Sequence, residues 1–192
     1  MATDYVTEVQ KLYVAYFSRP ADPAGLTYWA NVLQASPSGW QQMSAQFSTS
    51  AEYKAVYAGM DNRAIVAEVY DNLFGRAPEA AGLDYWVGEL NRGAISIDNV
   101  VTQVAAGSQN LDRTVFNGKV SIAETFTAHV NTDAEIAAYR GVAANNIAID
   151  YLDGVNSLET IAMYRDPGPI DATIARIVGT PSSVEHDGMV VA

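Results

Sequence analysis

Cysteine is missing from all 192 residues, which excludes disulfides, thiolate metal ligands and thiol nucleophiles. Histidine is scarce: His129 and His186 each lack a neighbouring His or Cys, so a zinc site built on them is not expected. There is no Ser-His-Asp ordering and no glycine-rich phosphate loop. No spacing singles out one carboxylate pair for acid–base work, and the reading is that the chain is not an enzyme. Basic residues are few, 11 Lys plus Arg against 22 Asp plus Glu, for a net charge of −11. That balance excludes a phosphate-backbone footprint, hence nucleic acid, and electrostatic docking on anionic lipid. Charged residues make up 17% of the chain, low against the ~25% of average globular composition. No run approaches the ~20 apolar residues of a membrane span, so no membrane insertion is expected. Residues 1–11 lack a basic segment followed by an apolar run, which argues against a Sec-type signal peptide there.

Apolar material is plentiful: 49% of residues are hydrophobic, with 11 Tyr, 5 Phe and 3 Trp, enough for a substantial core. The stretch from Arg19 to Trp29, RPADPAGLTYW, returns as RAPEAAGLDYW from Arg76 to Trp86. Arg, Gly, Leu, Tyr and Trp recur at identical offsets, and such self-similarity fixes architecture before any element is assigned.

Tyr5, Val9, Leu12, Tyr13 and Tyr16 share one face of a first helix, with Thr3 or Asp4 as N-cap. Arg19-Pro20 ends it, because the residue before proline is pushed out of the helical region. Asp22-Pro23 opens a second helix with a cap and a proline at its first position; Leu26, Trp29 and Leu33 form its stripe. Ser38 caps a third helix through Trp40, Met43 and Phe47, and Ser50 a short fourth, ended by Gly59. The second copy starts near Asp61. Its first helix carries Val66, Val69, Tyr70 and Phe74, with Gly75 as its left-handed stop. Leu83, Trp86 and Leu90 stripe the next helix, and Ser96 is expected to cap a third through Ile97, Val100 and Val104. The repeat ends at Asn117-Gly118. Helices then follow through Val120–Val130, after Thr132 or Asp133, and after Ser157. Ile147–Leu152 is either helical or extended. Asp166–Pro169 is expected as a turn before a last helix through Ile170, Ile174 and Ile177.

The fold class is therefore all-α: two tandem helical repeats (about 4–60 and 61–118), a C-terminal helical segment (119–179) packed on them, and a flexible tail (180–192) that is a candidate C-terminal secretion signal.

Most of the repeated motif reads as architecture. Gly25 and Gly82 let helices approach closely, and Leu-Trp-Leu faces the core. Tyr28 and Tyr85 lie off that line and are the candidate ligand contacts, as exposed aromatic platforms. Arg19 and Arg76 are candidates beside them, with carbonyl binding at the preceding helix's C-terminus as the favoured structural role. Asp22 and Asp84 read as cap and solvent residues. Asp150 and Asp153 are weak calcium candidates, because their spacing is not that of a calcium-binding loop.

The element Arg-x-Pro or Arg-Pro, Asp/Glu-x-x-Gly-Leu-x-Tyr-Trp, then Ser-x-Glu-Tyr, carried by Arg19–Trp29 with Ser50–Tyr53 and by Arg76–Trp86, resembles a bacterial domain of unknown function, number 4214. That domain is related to the phycobilisome linker domain. Phe116–Ala123, FNGKVSIA, looks like the sequence that commonly follows such repeats. The resemblance implies a secreted, S-layer-like or adhesin-like module leaving by type I secretion. Its partners would be a cell-surface polysaccharide or surface protein, with self-association and calcium also implied. The Gly-Gly-x-Gly-x-Asp calcium repeats of larger relatives are absent. Two alternatives stand beside this reading: an intracellular linker-like scaffold, and a small secreted ligand-binding protein or enzyme.

Overall fold

The computed structural model describes residues 5–36 and 38–180. Among them the chain forms twelve helices and no strand. The expected caps Thr3 or Asp4 and the residues 181–192 of the tail lie outside the described residues.

Helix α1 (Tyr5–Phe17) is buried on nearly every side of its second half, from Leu12 to Phe17, because several helices close around it. Among these are α2 (Pro23–Ala35), α3 (Gly39–Thr49), α7 (Val100–Gly107) and α8 (Asn110–His129). Ser18, at φ 52°, stops α1 in the left-handed region before the Arg19-Pro20 restriction acts, and its N–H donates to Val14 O at 3.1 Å. Asp22 then caps α2, accepting from Gly25 N at 2.8 Å, with Pro23 at the first helical position. Ser38 precedes α3 without capping it, its hydroxyl bonding Ser36 instead. Ser50 caps α4 (Ala51–Tyr57) through Tyr53 N.

The second copy repeats these devices with different residues. Asp61 caps α5 (Asn62–Phe74), and Gly75 ends it at φ 65°, where the first copy has Ser18. Glu79 precedes α6 (Ala80–Asn91) without a side-chain cap bond. The expected Ser96 cap is displaced: α7 begins only at Val100, with Asn99 at its N-cap position. Ile97 is exposed, as is Trp40 at the 57-residue offset, so that position faces outward in both copies. Met43 and Val100, Phe47 and Val104 are buried.

Helix α8 runs for 20 residues straight through Asn117-Gly118, so the point where the sequence repeat stops falls inside one helix. Gly118 lies under Ile161, which a Cβ would approach to 2.6 Å. Beyond α8 come α9 (Asp133–Ala138), α10 (Gly141–Asp153), α11 (Leu158–Tyr164) and α12 (Pro167–Val178). Thr132 with Glu135 and Ser157 with Thr160 form capping boxes at α9 and α11. The ambiguous Ile147–Leu152 run is helical, within α10. Asp166-Pro167 is not a free turn but the cap and first residue of α12.

These last helices pack on α8 and on one another, and they reach the first motif. Tyr139 Oη donates to Pro20 O at 2.6 Å, and Thr127 Oγ1 to Ala21 O at 2.7 Å. Gln10 accepts from Ala21 N at 3.0 Å and donates to Thr127 at 2.8 Å. The turn after α1 is thus buried with its backbone groups paired, as buried polar groups require.

Candidate functional site

Each copy of the motif places an arginine at the start of a turn, and both share a two-point carboxylate pair and a carbonyl bond. Arg19 Nε and Nη2 donate to the two Glu52 oxygens at 2.7 and 3.0 Å, and Nη1 to Pro20 O at 3.2 Å. Arg76 Nε and Nη2 donate to Asp112 at 2.8 and 2.7 Å, and Nη1 to Ala77 O at 2.8 Å. A planar guanidinium is suited to such two-point pairing. Each also lies over a tyrosine ring, Tyr13 and Tyr70, at 5.3 and 5.5 Å from the centroid. The carbonyls they bind belong to the turn that follows, not to the last turn of the preceding helix as the sequence suggested.

Burial works against the charge of Arg19, but Glu52 and Tyr139 outweigh it, so its guanidinium is held above the ordinary value. Hydrogen bonding to Asp112 does the same for Arg76. Burial, with Asp22 next, raises the Tyr13 hydroxyl well above the usual tyrosine range.

The glycines answer to the same tyrosines. A Cβ at Gly25 would lie 2.2 Å from the Tyr13 hydroxyl, and one at Gly82 would lie 3.0 Å from that of Tyr70. Close approach of α2 to α1, and of α6 to α5, therefore requires the missing side chain.

Tyr28 and Tyr85 project outward, 47% and 58% exposed. Each stands edge-on to its neighbouring tryptophan with ring centroids 5.0 Å apart, Tyr28 on Trp29 and Tyr85 on Trp86. The two copies diverge beneath that pair. Trp29 is buried and meets the Phe47 ring edge-on at 5.7 Å. Trp86 is only partly buried and looks into a cavity of about 460 Å³ that it shares with Tyr70 and Arg76. Neither exposed tyrosine lines this cavity. Sequence reasoning missed it, although the signal was present in the change from Phe47 to Val104.

Asp150 and Asp153 lie one turn apart on α10 and are exposed. Among the described residues no group of three or more His, Asp or Glu side chains converges as a metal site. Asp153 answers instead to a lysine that the sequence did not single out. Lys119 is fully buried on α8 and donates to Asn72 O, in the last turn of α5, at 2.7 Å. Burial, opposed by Asp153 and Asp71, brings its ammonium down to about 8. Although the residue as a whole is exposed, desolvation at the Asp153 carboxyl pushes it up to about 6, opposed by Lys119 and aided by Asp71, Asp150 and Glu68. His129 pairs with Asp171 at 2.7 Å; His186 lies outside the described residues. Among the described residues no helix is long and apolar enough to cross a membrane.

A family model described as "Domain of unknown function (DUF4214)" matches residues 44–113. That span runs from the middle of α3 into the first turn of α8, and it contains every residue lining the Trp86 cavity. No curated protein and no solved structure matches the chain.

Proposed function

Residues 44–113 belong to the family of domains of unknown function DUF4214, and from that premise we propose that the chain is a non-enzymatic module binding cell-surface polysaccharide outside the cell. The observation that carries the reading is the pair of exposed tyrosines. Tyr28 and Tyr85 occupy the same motif position, each braced edge-on by a tryptophan. A rigid aromatic ring held outward offers contact area at small entropic cost, and it suits the C–H face of a sugar. Two such rings on one chain favour a repeating ligand, since a polymer can engage both at once. The net charge of −11 suits an uncharged glycan better than a polyanion. Export would be by type I secretion, with self-association or a surface protein as further partners.

The test is retention of the full chain on insoluble polysaccharide prepared from the native cell surface. Tyr28→Ala with Tyr85→Ala should lower retention about tenfold, the loss of roughly 1.4 kcal/mol, without changing the melting temperature. Undiminished retention by the folded double variant would rule those rings out as the contact. Fractionation of native cells with and without a calcium chelator tests location and metal dependence together: the chain is expected in the surface or supernatant fraction.

A further inference from the structure

We propose that the cavity beside Arg76 is a binding site for one neutral sugar unit, an inference that rests on the polysaccharide reading and gives it a second, deeper seat. The two copies of the motif differ here in three ways, and each opens the second copy.

The first difference is filling. In the first copy Phe47 occupies the space under the motif, meeting Tyr13, Phe17 and Trp29 at ring distances of 4.9, 4.6 and 5.7 Å. At the 57-residue offset stands Val104, which lines the cavity. Among the described residues the one aromatic ring that the Trp86 ring meets is that of Tyr85. The second is cover. Pro20 and Ala21 are buried beneath side chains of α8 and of the segment after α9, whereas Ala77 and Glu79 are exposed. The third is the connection to the next helix. Arg19 and its carboxylate Glu52 are 33 residues apart, Arg76 and Asp112 are 36 apart. Gly107 at the end of α7, Gln109 in the connection and Asn110 at the start of α8 run along the cavity. Gly107 matters because a Cβ there would lie 3.3 Å from Trp86 Cζ2.

The lining then selects the ligand. Tyr70, Phe74 and Trp86 line its inner side, and of these Trp86 is the least buried. Its rim holds Arg76 between Asp112, at 2.7 Å, and Glu79, at 2.9 Å. Arg76 already occupies the cation position over Tyr70, so a second cation meets like charge. An anion meets two carboxylates whose arginine is already engaged. A neutral ligand escapes both penalties. The side-chain amides of Gln109 and Asn110 bond to no protein group among the described residues, and both are exposed at the rim. Free amides and spare carboxylate lone pairs serve hydroxyl groups, which donate and accept. A cavity of about 460 Å³ falls in the usual size range of small-molecule sites, and its many polar groups suit a ligand rich in hydroxyls.

The experiment is titration of the full chain with uncharged methyl glycosides, followed by calorimetry and tryptophan fluorescence, with glucuronate and choline as charged comparators. At least one neutral glycoside should bind saturably. Val104→Phe, which supplies the ring that fills the first copy, should weaken it about tenfold or more with the fold retained. Gln109→Ala with Asn110→Gly should weaken it similarly. The latter variant leaves the core untouched and relieves the positive φ of Asn110, 50°, so it decides the matter if Val104→Phe fails to fold. Tyr28→Ala, at a residue that does not line the cavity, should reduce retention on polymer. Wild-type affinity in the folded cavity variants, preference for glucuronate or choline, or no glycoside binding overturns the proposal. If polymer retention persists in those cases and depends on the tyrosines, the polysaccharide reading stands alone. If polymer retention is absent as well, both fall.

Discussion

Arg19 and Arg76 share a two-point carboxylate pair and a carbonyl bond in unequal surroundings, and their removal should cost unequal amounts. The Arg19 side chain is 9% exposed, so truncation empties a buried volume, leaves the buried Pro20 carbonyl short of a donor and removes the two-point partner of Glu52. Arg19→Ala is expected to cost about 3 kcal/mol. Arg76 is one-third exposed, solvent screens its pairs, and Arg76→Ala should cost roughly 1 kcal/mol. Urea denaturation of both variants checks the order, and equal losses would contradict it. A second residue-scale expectation concerns the left-handed stop of α1. Ser18 sits at φ 52° where the second copy has Gly75 at φ 65°, a conformation that disfavours residues with a Cβ. Ser18→Gly should stabilise by about 0.5 kcal/mol. The reverse exchange, Gly75→Ser, should destabilise, since a Cβ there would come within 2.5 Å of Asn156 Cβ. Thermal melts of the pair decide the sign. The sequence identified the turn and its arginines; the carboxylates that hold them lie 33 and 36 residues away, beyond any local pattern.

Helix α8 shows how an element can join what sequence periodicity separates. Its first turn supplies Asp112 to the second motif, its middle supplies Lys119 to the end of α5, and its last turns supply Thr127 to the first motif. Asn117-Gly118 reads as a boundary in the sequence because the repeat stops there. Packing decided otherwise, since Gly118 is where Ile161 comes close. Lys119 makes this junction sensitive to pH. Its ammonium titrates at about 8 in the fold against the ordinary 10.5, so between those values the unfolded chain binds more protons and stability rises with pH. Below 8 the burial penalty is present in full. From pH 7.5 to 9.5 the stability of the wild type relative to Lys119→Met should therefore rise by about 2 kcal/mol. Chemical denaturation at the two pH values measures it, and a constant difference would show that Lys119 titrates normally. Burial also raises the hydroxyls of Tyr53, Tyr57 and Tyr139. Above pH 10 the unfolded chain ionises these first, and stability should fall again.

Across the whole molecule, the segment after residue 118 is bound into the core of the first motif. Ile122, Ala123 and Phe126 are fully buried on a helix that packs along α1. Tyr139 and Thr127 complete the bonds of the turn between α1 and α2, and Asn145 reaches Glu52 at 3.3 Å. A chain ending at residue 118 would expose this apolar surface and leave buried carbonyls unpaired, so it should show no cooperative thermal transition. The full chain should melt in one step. A cooperative melt of the truncated chain, followed by circular dichroism, would establish residues 1–118 as an independent domain.

By itself the sequence determined the elements: the all-α class, the helix stops and restarts of the doubled motif, and most of the caps. These depend on residues within one or two turns of each other, where steric restriction and side-chain capping act. It also determined which tyrosines face outward, because helical spacing separates Tyr28 and Tyr85 from the Leu-Trp-Leu line. Only the tertiary structure decided which copy is closed and which open. Phe47 and a covering segment more than a hundred residues away seal the first, while Val104 and a longer connection leave the Trp86 face accessible. That difference depends on volume and on contacts between distant segments, which a repeated motif does not encode.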